Sequence, residues 1–196
     1  MTSLFFIGKI NKKIEEIAKE KGYDNVYFIK EIFSVDNKAF EDSNEYNSCL
    51  INIENLENFR KAIDKCQSRF KFIFVLGSDN IINRVALENR KVFGLISPEF
   101  NRKFDYVHYK NSGLNQILAK IAKSENKMLI EDLGFLKSEL SKKIKSQIMG
   151  RILQNYMLAR KYKFDFTIIF IARNPKEIMK SKDIQEFYSG LMIEIK

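Results

Sequence analysis

"KFIFVLGSDNIINRVALENRKVFGLIS", residues 71–97, decides the fold. The apolar run at 71–77, rich in aromatic and β-branched residues, predicts a strand. Ser78 or Asp79 can accept the free amides at the start of a helix, predicted over 80–91. A second apolar run at 92–97 predicts another strand. A helix with short turns between two apolar strands makes the strands parallel and the crossover right-handed.

The same alternation extends in both directions. Towards the N-terminus, strands are predicted at 3–9, 25–33 and 48–54. Helices are predicted at 11–22, stopped by Gly22, and at 55–70, with Asn55 as its N-cap. The polar stretch 34–47 predicts a surface loop. Towards the C-terminus, a short loop at 98–103 leads to a strand at 104–109 and a helix at 114–125. A strand at 127–133, a long basic helix at 138–163, a strand at 165–172 and a helix at 174–191 opened by Pro175 complete the pattern. Ile168, Ile169, Phe170 and Ile171 are apolar on both strand faces, as a doubly covered parallel sheet requires. Eight strands alternating with helices predict an α/β fold, a TIM-barrel-like (β/α) barrel forming one domain over 1–196. Such barrels usually have about 250 residues, so some helices must be missing or short, and 98–103 is one place where a helix is due. An open doubly wound sheet is the alternative.

The 45% apolar and 30% charged fractions fit a folded chain. No apolar run approaches the ~20 residues of a membrane helix, and the N-terminal stretch lacks the features of a signal peptide. Cys49 and Cys66 stand apart in sequence and read as reduced, buried thiols, with a cytoplasmic location expected. The net charge of +9 is unevenly placed. Residues 1–100 carry fifteen basic and fifteen acidic side chains, whereas residues 101–196 carry nineteen and ten. This asymmetry suggests a face made for a polyanion, the bland alternative being a lysine-rich solvated surface.

Catalytic chemistry finds little support. His108 is the single histidine, so a histidine-rich metal site is excluded. It lies in an apolar alternation and reads as a barrel-lining side chain. Glu131 and Asp132, adjacent at a strand end, could hold magnesium, although such a pair more often caps a loop. There is no Gly-x-Ser-x-Gly elbow and no glycine-rich phosphate motif. "VLGSDN" (75–80) and "KNSGLN" (110–115) each set one glycine and a hydroxyl at a strand-to-helix turn, where a phosphate or merely a cap would fit. Arg102, Lys103 and Lys110 tilt the second towards an anion.

The strongest signal is at 137–163. Lys137, Lys142, Lys143, Lys145, Arg151, Arg160, Lys161 and Lys163 face a single acid, Glu139. Leu140, Ile144, Ile148, Ile152 and Tyr156 recur every four residues and predict one apolar stripe on the core. A helix lying on a membrane surface is the competing reading. Unbalanced positive charge of this kind repels itself unless phosphates neutralise it.

Three stretches resemble a known family. "SGLNQILAKIAKSENKMLIE" (112–131), "KSQIMGRILQNYMLARKYK" (145–163) and "IARNPKEIMKSKDI" (171–184) are similar to the ribonuclease P protein component 3 family, the archaeal relatives of the thirty-kilodalton subunit of eukaryotic ribonuclease P and MRP. The resemblance runs from Lys71 to Lys196, while the first seventy residues match in layout. Gln116 stands where the family has a histidine, and Gly134 falls near a family arginine. Phe170 and Ile171 replace a serine pair, and Glu177, Ile178 and Met179 replace Asp-x-Arg. Lys182 and Asp183 keep a basic–acidic pair.

The resemblance implies a barrel related to the metal-dependent PHP-type phosphoesterases but without their metal ligands. It implies a non-catalytic, RNA-binding subunit of the ribonucleoprotein that cleaves the 5′ leader from precursor tRNA. The RNA with its magnesium would do the chemistry, and the chain would hold no cofactor. Protein component 2, in a heterotetramer, and ribonuclease P RNA are the implied partners, with precursor tRNA met through the holoenzyme and no membrane contact. Candidate phosphate contacts are Arg102, Lys103, Lys110, Lys120, Lys123, Lys142, Lys143, Lys145, Arg151, Arg173 and Lys182. The rivals are a phosphoesterase using Glu131, Asp132 and His108, and a subunit whose positive face meets an acidic protein.

Overall fold

The computed structural model describes residues 2–193. In chain order the elements are β1 (Ser3–Ile7), α1 (Lys12–Glu20), β2 (Asn25–Ile32), β3 (Ser48–Ile51), α2 (Leu56–Gln67), β4 (Phe72–Leu76), α3 (Asn80–Glu88), β5 (Gly94–Ile96), α4 (Gln116–Ser124), β6 (Met128–Asp132), α5 (Lys142–Tyr162), β7 (Asp165–Ile169), β8 (Ile171–Ala172) and α6 (Ser181–Ile193). Asn55 and Asp79 cap α2 and α3 with their side-chain oxygens where the sequence sets them, and Asn115, inside the helix predicted at 114–125, instead caps α4, which starts at Gln116.

All strand pairings are parallel, in the order β7-β6-β5-β4-β3-β2-β1-β8. The two ends of this sheet, β7 and β8, are separated by Phe170 alone. One run of chain therefore pairs first with β6, from Met128↔Asp165 to Asp132↔Ile169, and then with β1, at Phe5↔Ile171 and Phe6↔Ala172. That change of partner closes the sheet into the expected TIM-barrel-like fold. Side chains of alternate residues fill its interior, among them Ile29, Leu50, Phe74, Ile96, Ile130, Ile169 and Ile171. Two outer layers bury the helices. One packs α2, α3 and α4 over the middle strands, and the other packs α1, α5 and α6 over the two ends of the sheet.

Three expectations need correction. Residues 104–109 form no strand but an exposed part of the long loop between β5 and α4. Their apolar side chains look outward, so His108 does not line the barrel. The strand expected at 165–172 is split at Phe170. The helix expected at 174–191 begins at Ser181, after a 3₁₀ turn over Pro175–Glu177. A helix is absent between β2 and β3, where two 3₁₀ turns lie in the segment predicted as loop. Ile117 of α4 also faces solvent; Leu118, Ala119 and Ala122 bind that helix to the core. Cys49 and Cys66 are buried free thiols that meet in the core, where the contact with Cys66 and burial push the Cys49 thiol up. Among the described residues no helix is long and apolar enough to cross a membrane.

Candidate nucleic-acid interface

The loop from Ser97 to Asn115 emerges at the C-terminal end of the barrel, the end on which (β/α) barrels build their sites. It has nineteen residues, more than the roughly 12–15 beyond which an unstructured connection usually has a function of its own. Buried side chains fix it throughout. Asn83 of α3, fully buried, donates from Nδ2 to the carbonyls of Pro98 and Gly113, both at 3.2 Å, and so ties the two feet of the loop together. Arg151 donates from Nε to Asp105 Oδ1 at 2.8 Å and from Nη1 to the Arg102 carbonyl at 3.0 Å. Gln154 accepts the Lys110 amide and donates to the Lys110 carbonyl and to Ser112 Oγ. Asn155 donates to the Ser112 carbonyl. Residues 151, 154 and 155 share one face of α5, so a single helix face grips the loop. Burial works against ionisation of Asp105, yet hydrogen bonds from Arg151 and the Asn111 amide hold its carboxyl below the usual range.

The loop tip carries large side chains into solvent. Phe104 is 63% exposed, Tyr109 59% and Val107 93%, with Tyr106 and His108 exposed beside them. The Tyr106 amide donates to the Tyr109 carbonyl at 3.0 Å and closes a turn. The Tyr106 and Tyr109 ring centroids lie 4.5 Å apart, and Phe104 meets Tyr106 edge-on at 6.2 Å. Lys103 and Lys110 flank the rings and are exposed.

Behind the loop, a cavity of about 610 Å³ opens at the barrel mouth. Asn52, Ser97, Glu99, Arg102, Asp132, Lys137, Arg151, Arg173 and Glu177 line it with apolar residues of β8 and α5, and Leu140, just before α5, and Ile144 bring the exposed start of the expected stripe to it. The acids here are already engaged. Asp132 Oδ1 accepts the amides of Gly134 and Ile171, each at 2.9 Å. Glu131 faces α5, accepts from Asn155 at 2.9 Å, and meets Glu99 in the interior. Burial and then the neighbouring Glu99 push Glu131 well above the usual carboxylate range, and burial raises Glu99 as well. Oε2 of each is buried without a hydrogen-bond partner, which fits the upward push on both carboxyls. Burial likewise pushes Asp132 up to about 6. Among the described residues no three His, Cys, Asp or Glu side chains stand together as metal ligands. His108 sits on the loop tip while Glu131 is sealed inside, so the phosphoesterase trio does not assemble.

The eleven predicted cations fall into groups. Arg102, Lys103, Lys110 and Arg151 meet around the loop, but Arg151 is only 3% exposed and serves as its anchor, not as a surface cation. Arg102 is largely spent on the Pro98 carbonyl and Asn80. Lys145 bonds the Leu136 carbonyl. Arg173, at the cavity edge, pairs with Glu31 at 2.8 Å, and Lys182, on α6, pairs with Glu186. Lys142 and Lys143 at the start of α5, and Lys120 and Lys123 on α4, are exposed; among the described residues they have no acidic partner. Lys137, within the basic segment but not among the candidates, lines the cavity. The aromatic tip escaped notice as well, although the cations at both ends of "RKFDYVHYK" are a poor fit to a buried strand. Gln116, at the family's histidine position, accepts from Tyr162 Oη at 3.4 Å.

The fold and site define a (β/α) barrel whose mouth presents cations and aromatic rings, with its carboxylates locked in structural bonds. No family model matches the chain. It is 31% identical to ribonuclease P protein component 3 of Methanosarcina acetivorans over 139 residues, 67% of this chain and 54% of the relative. It is 32% identical to the protein of the same name from Methanococcus maripaludis over 118 residues, 60% of this chain and 47% of the relative. The Methanocaldococcus jannaschii protein is 26% identical over 181 residues, 91% of this chain and 69% of the relative, a span that takes in most of the first seventy residues too. The chain thus spans about half the length of the first two relatives. A cryo-EM structure of archaeal ribonuclease P with mature tRNA contains a chain of the same fold, with a TM-score of 0.75 at 20% identity over 96% of this chain and 82% of that one. The chain is thus similar in sequence to archaeal ribonuclease P protein component 3, the family that the stretches at 112–131, 145–163 and 171–184 resemble.

Proposed function

We propose that this chain is an RNA-binding protein subunit of ribonuclease P, acting in removal of the 5′ leader from precursor tRNA. The observation that carries the reading is a set of exposed lysines without an acidic partner among the described residues, Lys120 and Lys123 on α4 and Lys142 and Lys143 at the N-terminal end of α5, together with Lys103 and Lys110 on the loop that α5 grips. Such cations contact phosphates and position RNA without reading its bases. The relatives' names and the shared fold supply the ribonucleoprotein. In this reading the chain is not itself a catalyst. Asp132 at its mouth is occupied by two backbone amides, and the RNA with its magnesium carries the reaction. Protein component 2 in a heterotetramer and ribonuclease P RNA are its partners, and the cytoplasm its place.

Lys142→Ala/Lys143→Ala should weaken RNA binding and lower the slope of log K against log salt by about one for each phosphate no longer neutralised. An unchanged slope would place the RNA elsewhere. The ribonuclease P RNA should co-purify with the chain from its native source. Phosphoester turnover by the chain with manganese or magnesium, abolished in His108→Ala, would overturn the reading.

A further inference from the structure

The aromatic tip at 104–109 is unexplained by phosphate binding. Folding normally buries such rings, and a loop free to move would fold them back onto the barrel. Here the loop is held outward. Arg151, buried, grips Asp105 in the middle of the tip, and Gln154 grips Lys110 at its end. The turn between Tyr106 and Tyr109 sets their rings against each other and leaves outer faces open. The conformational cost of presenting these rings is thus met before any partner arrives.

We propose that the tip, through Phe104, Tyr106 and Tyr109, is a stacking platform for unpaired nucleobases of an RNA whose backbone is held by Lys103 and Lys110. The inference rests on the RNA-binding reading above and deepens it from phosphate neutralisation to recognition of looped or single-stranded segments. Charge complementarity selects RNA as the occupant. The tip's single acid, Asp105, is shared by Arg151 at 2.8 Å and Lys110 at 3.5 Å, while Lys103 is exposed, so the cations outnumber the one acid and the surface around the rings keeps a net positive charge. Aromatic rings between cations are the arrangement that binds unpaired bases: any base can stack on a ring face while lysines hold the adjoining phosphates. Paired bases in a duplex are stacked on each other and offer the rings no face.

The test compares two RNAs with the same number of phosphates, a hairpin with a large loop carrying 2-aminopurine and a blunt duplex, bound to the full chain and to Tyr106→Ala/Tyr109→Ala. Both residues are exposed, so the variant should fold, and circular dichroism checks it. The wild type should quench 2-aminopurine. The variant should lose about tenfold in affinity for the hairpin for each stacked base, keep its affinity for the duplex, and keep the salt slope that the lysines set. Equal hairpin affinity for variant and wild type overturns the platform while leaving RNA binding in place. Binding of neither RNA by the wild type overturns both readings. Unchanged RNA affinity with loss of a co-purifying protein overturns the platform and assigns the tip to that protein.

Discussion

Asp132 Oδ1 accepts the Ile171 amide at 2.9 Å at the point where the barrel's last strand changes partner. The backbone register between β6 and β7 ends at Asp132↔Ile169. Beyond it, β6 turns into a 3₁₀ turn over Leu133–Lys137, and Ile171 pairs with Phe5 on its other side. The amide of Ile171 facing β6 would have no strand carbonyl to meet. The carboxylate of Asp132 extends the ladder by one rung and also takes the Gly134 amide. A residue that looked like a metal ligand in the sequence is a clasp.

Asp132→Ala should therefore destabilise the barrel by about 2–3 kcal/mol, because two buried amides lose a shared acceptor. Asp132→Asn keeps an oxygen there and should lose much less. Urea unfolding of the two variants measures the difference. Equal midpoints for Asp132→Ala and the wild type would show that the clasp carries no load.

The same carboxyl makes stability depend on pH. Its folded value is raised to about 6 from 3.8. Between these values the native state holds a proton that the unfolded chain has released. Stability from this group should thus be fully present below about pH 4, decline as pH rises to about 6, and level off above it. The buried Glu99–Glu131 pair shifts in the same direction. Asp132→Asn should flatten the decline in this window, seen as a smaller change of urea midpoint between pH 4 and pH 6.5.

Arg151→Ala removes the buried partner of Asp105 and leaves it only the Asn111 amide and the exposed Lys110 at 3.5 Å. The expected loss is about 2–3 kcal/mol, below that of a fully unpaired buried charge, and replacing both residues with apolar ones, Arg151→Met with Asp105→Leu, should recover part of it. Protease cutting within 101–111 should accelerate in the single variant. A loop that stays resistant in Arg151→Ala would assign its order to Asn83, Gln154 and Asn155.

Gly113 sits at φ +76°, and a Cβ there would lie 1.8 Å from the Pro98 carbonyl oxygen. That is the carbonyl Asn83 holds. Gly113→Ala should cost more than about 1 kcal/mol and shift the loop feet apart. Thermal unfolding reads the cost, and a Tm equal to the wild type's would contradict the crowding.

The barrel was legible because its signals are local. Asn55 and Asp79 are caps whose chemistry needs no tertiary context. Short apolar runs such as 72–76, rich in aromatic and β-branched residues and bounded by turn signals, read as doubly covered strands. The loop tip was misread because Phe104, Tyr106 and Tyr109 alternate as a strand does, and what holds them outward is forty or more residues away on α5. Arg151 carried a signal that charge counting overrode. It lies three residues after Ile148, one before Ile152 and four before Asn155, on the buried face of its helix. A basic residue on that face is a structural partner, whereas Lys142 and Lys143, beyond the buried stripe, are exposed and have no acidic partner among the described residues.

The anchors of the 97–115 loop come from the helices beneath it, and most of them act on backbone atoms. The tip between Lys103 and Lys110, Asp105 aside, supplies nothing that the barrel needs. It is an interchangeable insert in a fixed socket. Sequences grafted there with the aspartate retained can change what the protein grips without disturbing how it folds, and evolution can vary the tip faster than the three α5 side chains that clamp it.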